Sequence, residues 1–138
     1  MSAEKWSMNM AIPEIYKKYK ENAVNGLTAG ELIVLLFEEA SININKAIIN
    51  INNKDICGAH NCIVKAENIF LYLNDNLDMS YPISQKLSAL YDYIYEQLVK
   101  ANLKKDIVIL QSVLKMSQEL KESWKKAEVI SRTNGKIK

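Results

Sequence analysis

Apolar residues recur along this chain at steps of three and four, with polar residues filling the positions between them. That spacing keeps one side of an α-helix apolar over many turns. The clearest series is Ala59, Ile63, Ala66, Phe70, Leu73 and Leu77, which alternates steps of four and three without a break. A mean period of ~3.5 residues suits near-parallel helix packing. An earlier series, Leu32, Leu36, Ala40, Ile44, Ala47 and Ile51, marks one further helix. A later one, Ile83, Leu87, Leu90, Ile94, Leu98 and Ala101, marks another. A fourth helix is predicted from about Asp106 to Ile130.

Local signals set the ends of these elements. Thr28-Ala29-Gly30-Glu31 has the form of a capping box, in which the Thr hydroxyl accepts the amide three residues on and Glu31 reaches back. Asn52-Asn53 ends the first helix, and Asp55 is placed to cap the second. Ser80 is expected to cap the third, with Pro82 in its first turn, where a missing N–H costs nothing. Asn102 to Lys105 form a short break before the fourth. Residues 1–11 and 131–138 are expected to be loose ends. Between the leader and the first long helix, Pro13 opens a short amphipathic stretch, Ile15 to Tyr19, joined on by a loop containing Asn25-Gly26. Four helices of about 20 residues with short connections give an all-α, antiparallel up-down four-helix bundle with a short N-terminal cap segment, one domain over residues 1–138.

Composition narrows the function classes. Four Gly and two Pro in 138 residues are too few for a turn-rich β architecture. The net charge of +2 comes from Lys interleaved with Glu, and Arg132 is the only Arg. The bidentate contacts that nucleic-acid binders favour are therefore nearly lacking, and no nucleic-acid partner is expected. The longest apolar run, Leu32 to Phe37, ends at Glu38 and Glu39, so no membrane insertion is expected. Glu4, Asn9 and Glu14 interrupt the apolar stretches of the leader, which argues against a signal peptide. A cytoplasmic protein with Cys57 and Cys62 as reduced thiols follows.

Catalytic constellations are not found. The one His, His60, rules out paired-His metal motifs. Cys57, His60 and Cys62 suggest zinc, but on a regular helix the two Cys lie about 140° apart and cannot converge on one ion. No metal, cofactor or enzymatic activity is expected. An alternative function uses His60 as the phosphoacceptor of a histidine phosphotransfer bundle. Such a module would need Lys and Gly three and four residues after the His, where Ile63 and Val64 stand instead.

The chain does carry more apolar surface than one core explains. Ile107, Leu110 and Leu114 form one stripe of the fourth helix, and Ile109, Val113, Met116, Leu120 and Trp124 form a second beside it. Together they cover about half the circumference, against ~100° for an ordinary core-facing helix. Either two neighbours bury both stripes, or part of the second forms a groove for a partner helix. On the third helix, Tyr91 and Tyr95 fall on one flank and Tyr93 on the other, positions suited to rings that are buried and hydroxyls that meet water.

These residues resemble the flagellin-specific export chaperones of the FliS family over nearly the whole chain, from about Ile15 to Trp124. Tyr16-x-x-Tyr19 with Asn22 to Asn25 is similar to the family's opening, as is Glu31-Leu32 followed by Leu35-Leu36-Phe37-Glu38. Leu90-Tyr91-Asp92-Tyr93-Ile94, then Leu98, Ala101-Asn102, Asp106 and Trp124, is the most specific match. Gly30, Phe37, and Glu96-Gln97 depart from residues common in the family, and the last pair makes that face less positive. The resemblance implies binding of the disordered C-terminal region of flagellin, kept unpolymerised in the cytoplasm for the flagellar type III export apparatus, whose components are further expected partners. Flagellin contacts are expected from Tyr16, Tyr19, Tyr91, Tyr95, Ile109, Val113, Met116 and Leu120. The first two would act as a cap on the groove. Self-association as a homodimer is left open.

Overall fold

The computed structural model describes the backbone of residues 28–137 and the side chains through Val129, Glu128 excepted. Over these residues four helices follow one another: α1 (Ala29–Asn52), α2 (Ile56–Asp75), α3 (Ile83–Lys104) and α4 (Ile107–Ile137). Each packs on its neighbours in the order α1–α2–α3–α4–α1, while the diagonal pairs stay apart at the backbone. This is the up-down bundle that the periodicity predicts.

Side-chain caps explain where three of the helices start. Glu31 N donates to Thr28 Oγ1 at 3.1 Å and Thr28 N to Glu31 Oε1 at 3.4 Å, the reciprocal pair of a capping box. Asp55 caps α2 by accepting from Gly58 N at 2.9 Å, and a Cβ on Gly58 would collide with that carboxylate. Asp106 accepts from Val108 N at 2.9 Å and Ile109 N at 3.3 Å and so starts α4.

Three boundaries differ from expectation. Ser80 does not cap α3; its amide and hydroxyl instead donate to Asp78 Oδ1, at 3.0 and 2.6 Å. Those bonds hold the Asp78 carboxyl below its ordinary pKa and shape the α2–α3 connection. Pro82 is the N-cap residue, and Ile83, read as the first core position of α3, is exposed while its neighbour Ser84 is buried. Finally, α3 runs through Lys104 and α4 through Ile137, past both expected breaks. Extending an existing helix closes one hydrogen bond per residue fixed, which offsets the weak propensity of Asn134-Gly135.

The core follows the stripes read from the sequence over most of their length, with Ile83 left outside and Phe37, Ile69 and Tyr91 added. Leu36, Ala40, Ile44 and Ala47 meet Ile63, Ala66, Phe70 and Leu73, and across the bundle Ile94, Leu98, Ala101, Leu110 and Val113 complete it. At its centre Phe37, Phe70 and Tyr91 form a ring of tilted aromatics with centroids 6.1–6.2 Å apart. Ser41 and Ser117 tie α1 to α4 through hydroxyls 2.9 Å apart, and both reach the Phe37 carbonyl.

The α1–α2 and α3–α4 turns lie at the same end of the bundle, and both are built on the tripeptide Lys-Asp-Ile: Lys54-Asp55-Ile56 and Lys105-Asp106-Ile107. In each the Lys takes a left-handed conformation, with φ of 62° and 52°, and the Asp caps the next helix. We call this the turn end. The other end holds Thr28 and the α2–α3 connection.

Candidate partner-binding surface

Cross-helix hydrogen bonds fix which side of each helix faces which neighbour. Asn50 Nδ2 donates to Cys62 Sγ at 3.8 Å between α1 and α2. Between α2 and α3, Asn74 bonds Asp92 at 2.8 Å and Ser88 at 2.7 Å. With those faces assigned, a rotation of about 100° per residue carries Ile107 and Leu114 to the side of α4 turned toward α1. The same rotation carries Ile109, Met116 and Leu120 to the side turned toward α3. Of the four seams of the bundle, α3–α4 is the most sparsely packed. The second apolar stripe of α4 thus borders that seam.

Both stripes are split within that frame. Leu110, Val113 and Ser117 are enclosed, whereas Ile107 and Leu114 on one side, and Ile109, Met116, Leu120 and Trp124 on the other, are half-buried at the edge of the core. The last four lie at near-helical intervals along one flank and form a continuous apolar track. It ends at a pocket of ≈ 570 Å³ under the end opposite the turns. Leu32, Leu73, Leu77, Leu87, Tyr91 and Trp124 contribute to the pocket wall, with Ala29 at its rim.

Tyrosines sort differently from the sequence reading. Tyr91 is 1% exposed, a core residue rather than one with its hydroxyl in water. Burial pushes its phenol up to about 12, and a hydrogen bond with Trp124 partly opposes that shift. Val113, also expected at the binding surface, is fully enclosed as well. Tyr95 is half-buried, and its position on the wheel turns it toward α2 rather than the α3–α4 seam. Tyr93, read only as a flank residue, is 48% exposed on the side that borders that seam. Its position opposite the Tyr91/Tyr95 flank was the signal for it. Tyr16 and Tyr19 lie outside the described residues.

The remaining polar groups of interest line the α2–α3 seam. His60, Glu67 and Asn74 recur every seven residues and so lie along one face. Lys105 donates to the Asn102 carbonyl at 2.5 Å and to Asn102 Oδ1 at 2.7 Å. The Asn102 side-chain amide also meets His60 Nδ1, with its nitrogen at 3.0 Å and its oxygen at 3.3 Å. His60 is thereby turned to α3 and Cys62 to α1, so the zinc trio of the sequence does not converge. Glu67 is buried in the middle of this seam. Desolvation raises its pKa to about 7, against the opposing pull of the Lys105 ammonium.

Taken as geometry, this is an all-α bundle with a half-covered apolar seam and a pocket at its end, both held in place by capped helices. The family model described as flagellar protein FliS matches residues 12–131. The flagellar secretion chaperone FliS of Bacillus subtilis (strain 168) is 36% identical over 118 residues, covering 86% of this chain and 89% of that one. The protein of the same name from Salmonella typhimurium (strain LT2) is 29% identical over 108 residues, 76% of this chain and 80% of the relative. That of Escherichia coli (strain K12) is 24% identical over 110 residues, 78% and 81% of the two chains. The chain belongs to the FliS family of flagellar secretion chaperones.

Proposed function

We propose that this protein binds the disordered C-terminal region of flagellin in the cytoplasm, keeps it from polymerising, and hands it to the flagellar export apparatus. The observation that carries this reading is the apolar track Ile109–Met116–Leu120–Trp124 along the sparsest seam, running into the terminal pocket. A segment that folds on binding must offset its ordering cost with a large apolar contact, and a helix laid along such a track gains it. In this reading Ile109, Met116, Leu120 and Tyr93 line the groove. Val113 and Tyr91 support it from beneath, and Tyr95 contributes at the far side of α3.

The chain enters α1 at the pocket rim, at Ala29. Residues 15–19, with Tyr16 and Tyr19, are proposed to occupy part of the same surface until flagellin displaces them. Calorimetric titration with a flagellin C-terminal segment from the same organism tests the reading. Binding with a negative heat-capacity change supports it, and a chain lacking residues 1–22 should bind more tightly. Absence of binding by the folded bundle would remove it.

A further inference from the structure

Helix α1 carries a second apolar line that the core does not use. Leu35, Ile42 and Ile49 recur every seven residues and so stay on one face of the helix for about four turns. Two hydrogen bonds fix where that face points: Ser41 meets Ser117 of α4, and Asn50 meets Cys62 of α2. Measured from the enclosed Ala40, Ser41 lies about 100° one way around the helix and Asn50 about 80° the other. The three apolar residues fall at about 140–180°, directly away from the bundle. Ile42 is 41% and Ile49 50% exposed, and Leu35 is half-buried. None of them lines the pocket or belongs to the α3–α4 seam. Exposed apolar side chains placed singly need no explanation, but a heptad line of them along one helix is the pattern of a helix-pairing face.

The charges beside this line are arranged about Ile42. On the flank nearer α2, Glu39 comes three residues before Ile42 and Lys46 four after it. They are about 10 Å apart along the axis, too far to pair with each other. Neither makes an ion pair among the described residues; Glu39 only accepts from Asn43, at 3.4 Å. Glu38 and Asn45 stand in the same relation on the other flank. A two-fold axis between antiparallel helices keeps each flank on its own side and reverses its direction. Two copies of α1 related by such an axis at Ile42 set each Leu35 against the opposite Ile49. Each Glu39 then stands against the opposite Lys46, and the two Ile42 meet on the axis.

We infer that the outer face of α1 docks a second copy of this chain, in an antiparallel α1–α1 contact centred on Ile42. The face is complementary to itself in both shape and charge, which is what an isologous contact requires and what an unrelated partner has no reason to match. With three apolar side chains a side, the contact falls short of the ~1,000 Å² expected of a lasting interface. The dimer is therefore weak and reversible, and fills only at high protein concentration. Because α3 is diagonal to α1, the α3–α4 seam stays open on each protomer, and the contact is independent of flagellin binding.

Sedimentation equilibrium of the full chain, from micromolar to millimolar concentration at low salt, is the test. The wild-type chain should pass from monomer to dimer mass. Ile42→Asp places two carboxylates on the axis and should weaken association at least tenfold, with helical circular dichroism unchanged because the site is exposed. Glu39→Lys and Lys46→Glu should each weaken it about tenfold, since two attractive pairs become two repulsive ones. An equimolar mixture of these two variants should associate as the wild type does, because the mixed dimer regains both opposite-charge pairs. A wild-type chain that stays monomeric throughout would overturn the proposal. So would a dimer indifferent to Ile42→Asp, or charge variants that fail to restore each other on mixing. Flagellin titration should be the same for the wild type and all three variants, so a failure here leaves the flagellin reading standing, and the converse.

Discussion

The bundle consists of two helical hairpins closed by the same tripeptide, yet α1–α2 is packed tightly and α3–α4 is the loosest seam. The difference lies in the facing side chains rather than in the turns. Alanines recur every seven residues on both helices of the first hairpin, at Ala40 and Ala47 and at Ala59 and Ala66, all fully buried. Small residues at the contact let helix axes approach. In the second hairpin the flanks that face each other carry Leu90 and Tyr93 on one side and Ile109, Met116 and Leu120 on the other. These bulky groups hold the helices apart and leave apolar surface half-covered. One half of the molecule is closely packed, and the other leaves apolar surface half-covered.

The largest test of that contrast is to remove a shared support. Phe70, on the tight hairpin, packs against Phe37 and against Tyr91 of the loose one. Phe70→Ala should cost about 3–5 kcal/mol in urea denaturation, because the cavity is enclosed by all the surrounding helices. A loss below about 2 kcal/mol would mean that the seam collapses into the void, and that the second hairpin is more adaptable than its packing indicates.

Between the hairpins, the α2–α3 seam responds to pH through Glu67. Its pKa is raised from 4.5 to about 7, so the folded state binds the proton more tightly than the unfolded chain. The resulting stability is fully present below pH 4.5 and is lost as pH rises through about 7. At about 1.4 kcal/mol per unit, and with partial solvent access, the expected loss is about 2 kcal/mol. Glu67→Gln should flatten this part of the profile and make the protein more stable at pH 8. An unchanged slope between pH 5 and 8 would show that Glu67 is solvated at the seam.

A smaller effect separates groove from core within α4. Leu120→Ser and Met116→Ser should each weaken binding of the flagellin segment about tenfold, ~1.4 kcal/mol, while costing stability no more than that. Val113→Ala, one turn away but enclosed, should do the reverse, lowering stability more than affinity. If all three behave alike, the track is a core edge and not a binding surface.

The sequence carried much of this contrast and missed its sorting. Heptad spacing placed the alanine stripes and most of each helix's core, and the excess apolar width of α4 raised a half-covered seam as one of two outcomes. Helical phase alone could not say that Tyr91 would be drawn to the centre by Phe37 and Phe70, leaving Tyr93 at the edge. That depends on ring sizes meeting across three helices. The α3 start was missed because Asp78, and not Ser80, organises the connection through contacts that cross the turn.

The finest comparison sets the two turns against each other. Lys54 and Lys105 occupy the same left-handed position, but only Lys105 has its ammonium folded back, onto Asn102. Lys54→Gly relieves the backbone and should stabilise by about 0.5–1 kcal/mol. Lys105→Gly gains the same relief but loses both bonds to Asn102 and the charge that opposes the rise in the Glu67 pKa. Its net effect should therefore be near zero at pH 5, where Glu67 is mostly protonated, and destabilising by about 0.5–1 kcal/mol at pH 8. Urea midpoints of both variants at the two pH values decide it. A Lys105→Gly protein stabilised as much as Lys54→Gly at pH 8 would show that the second turn gains nothing from its lysine, and that the two hairpins differ only in how closely their helices pack.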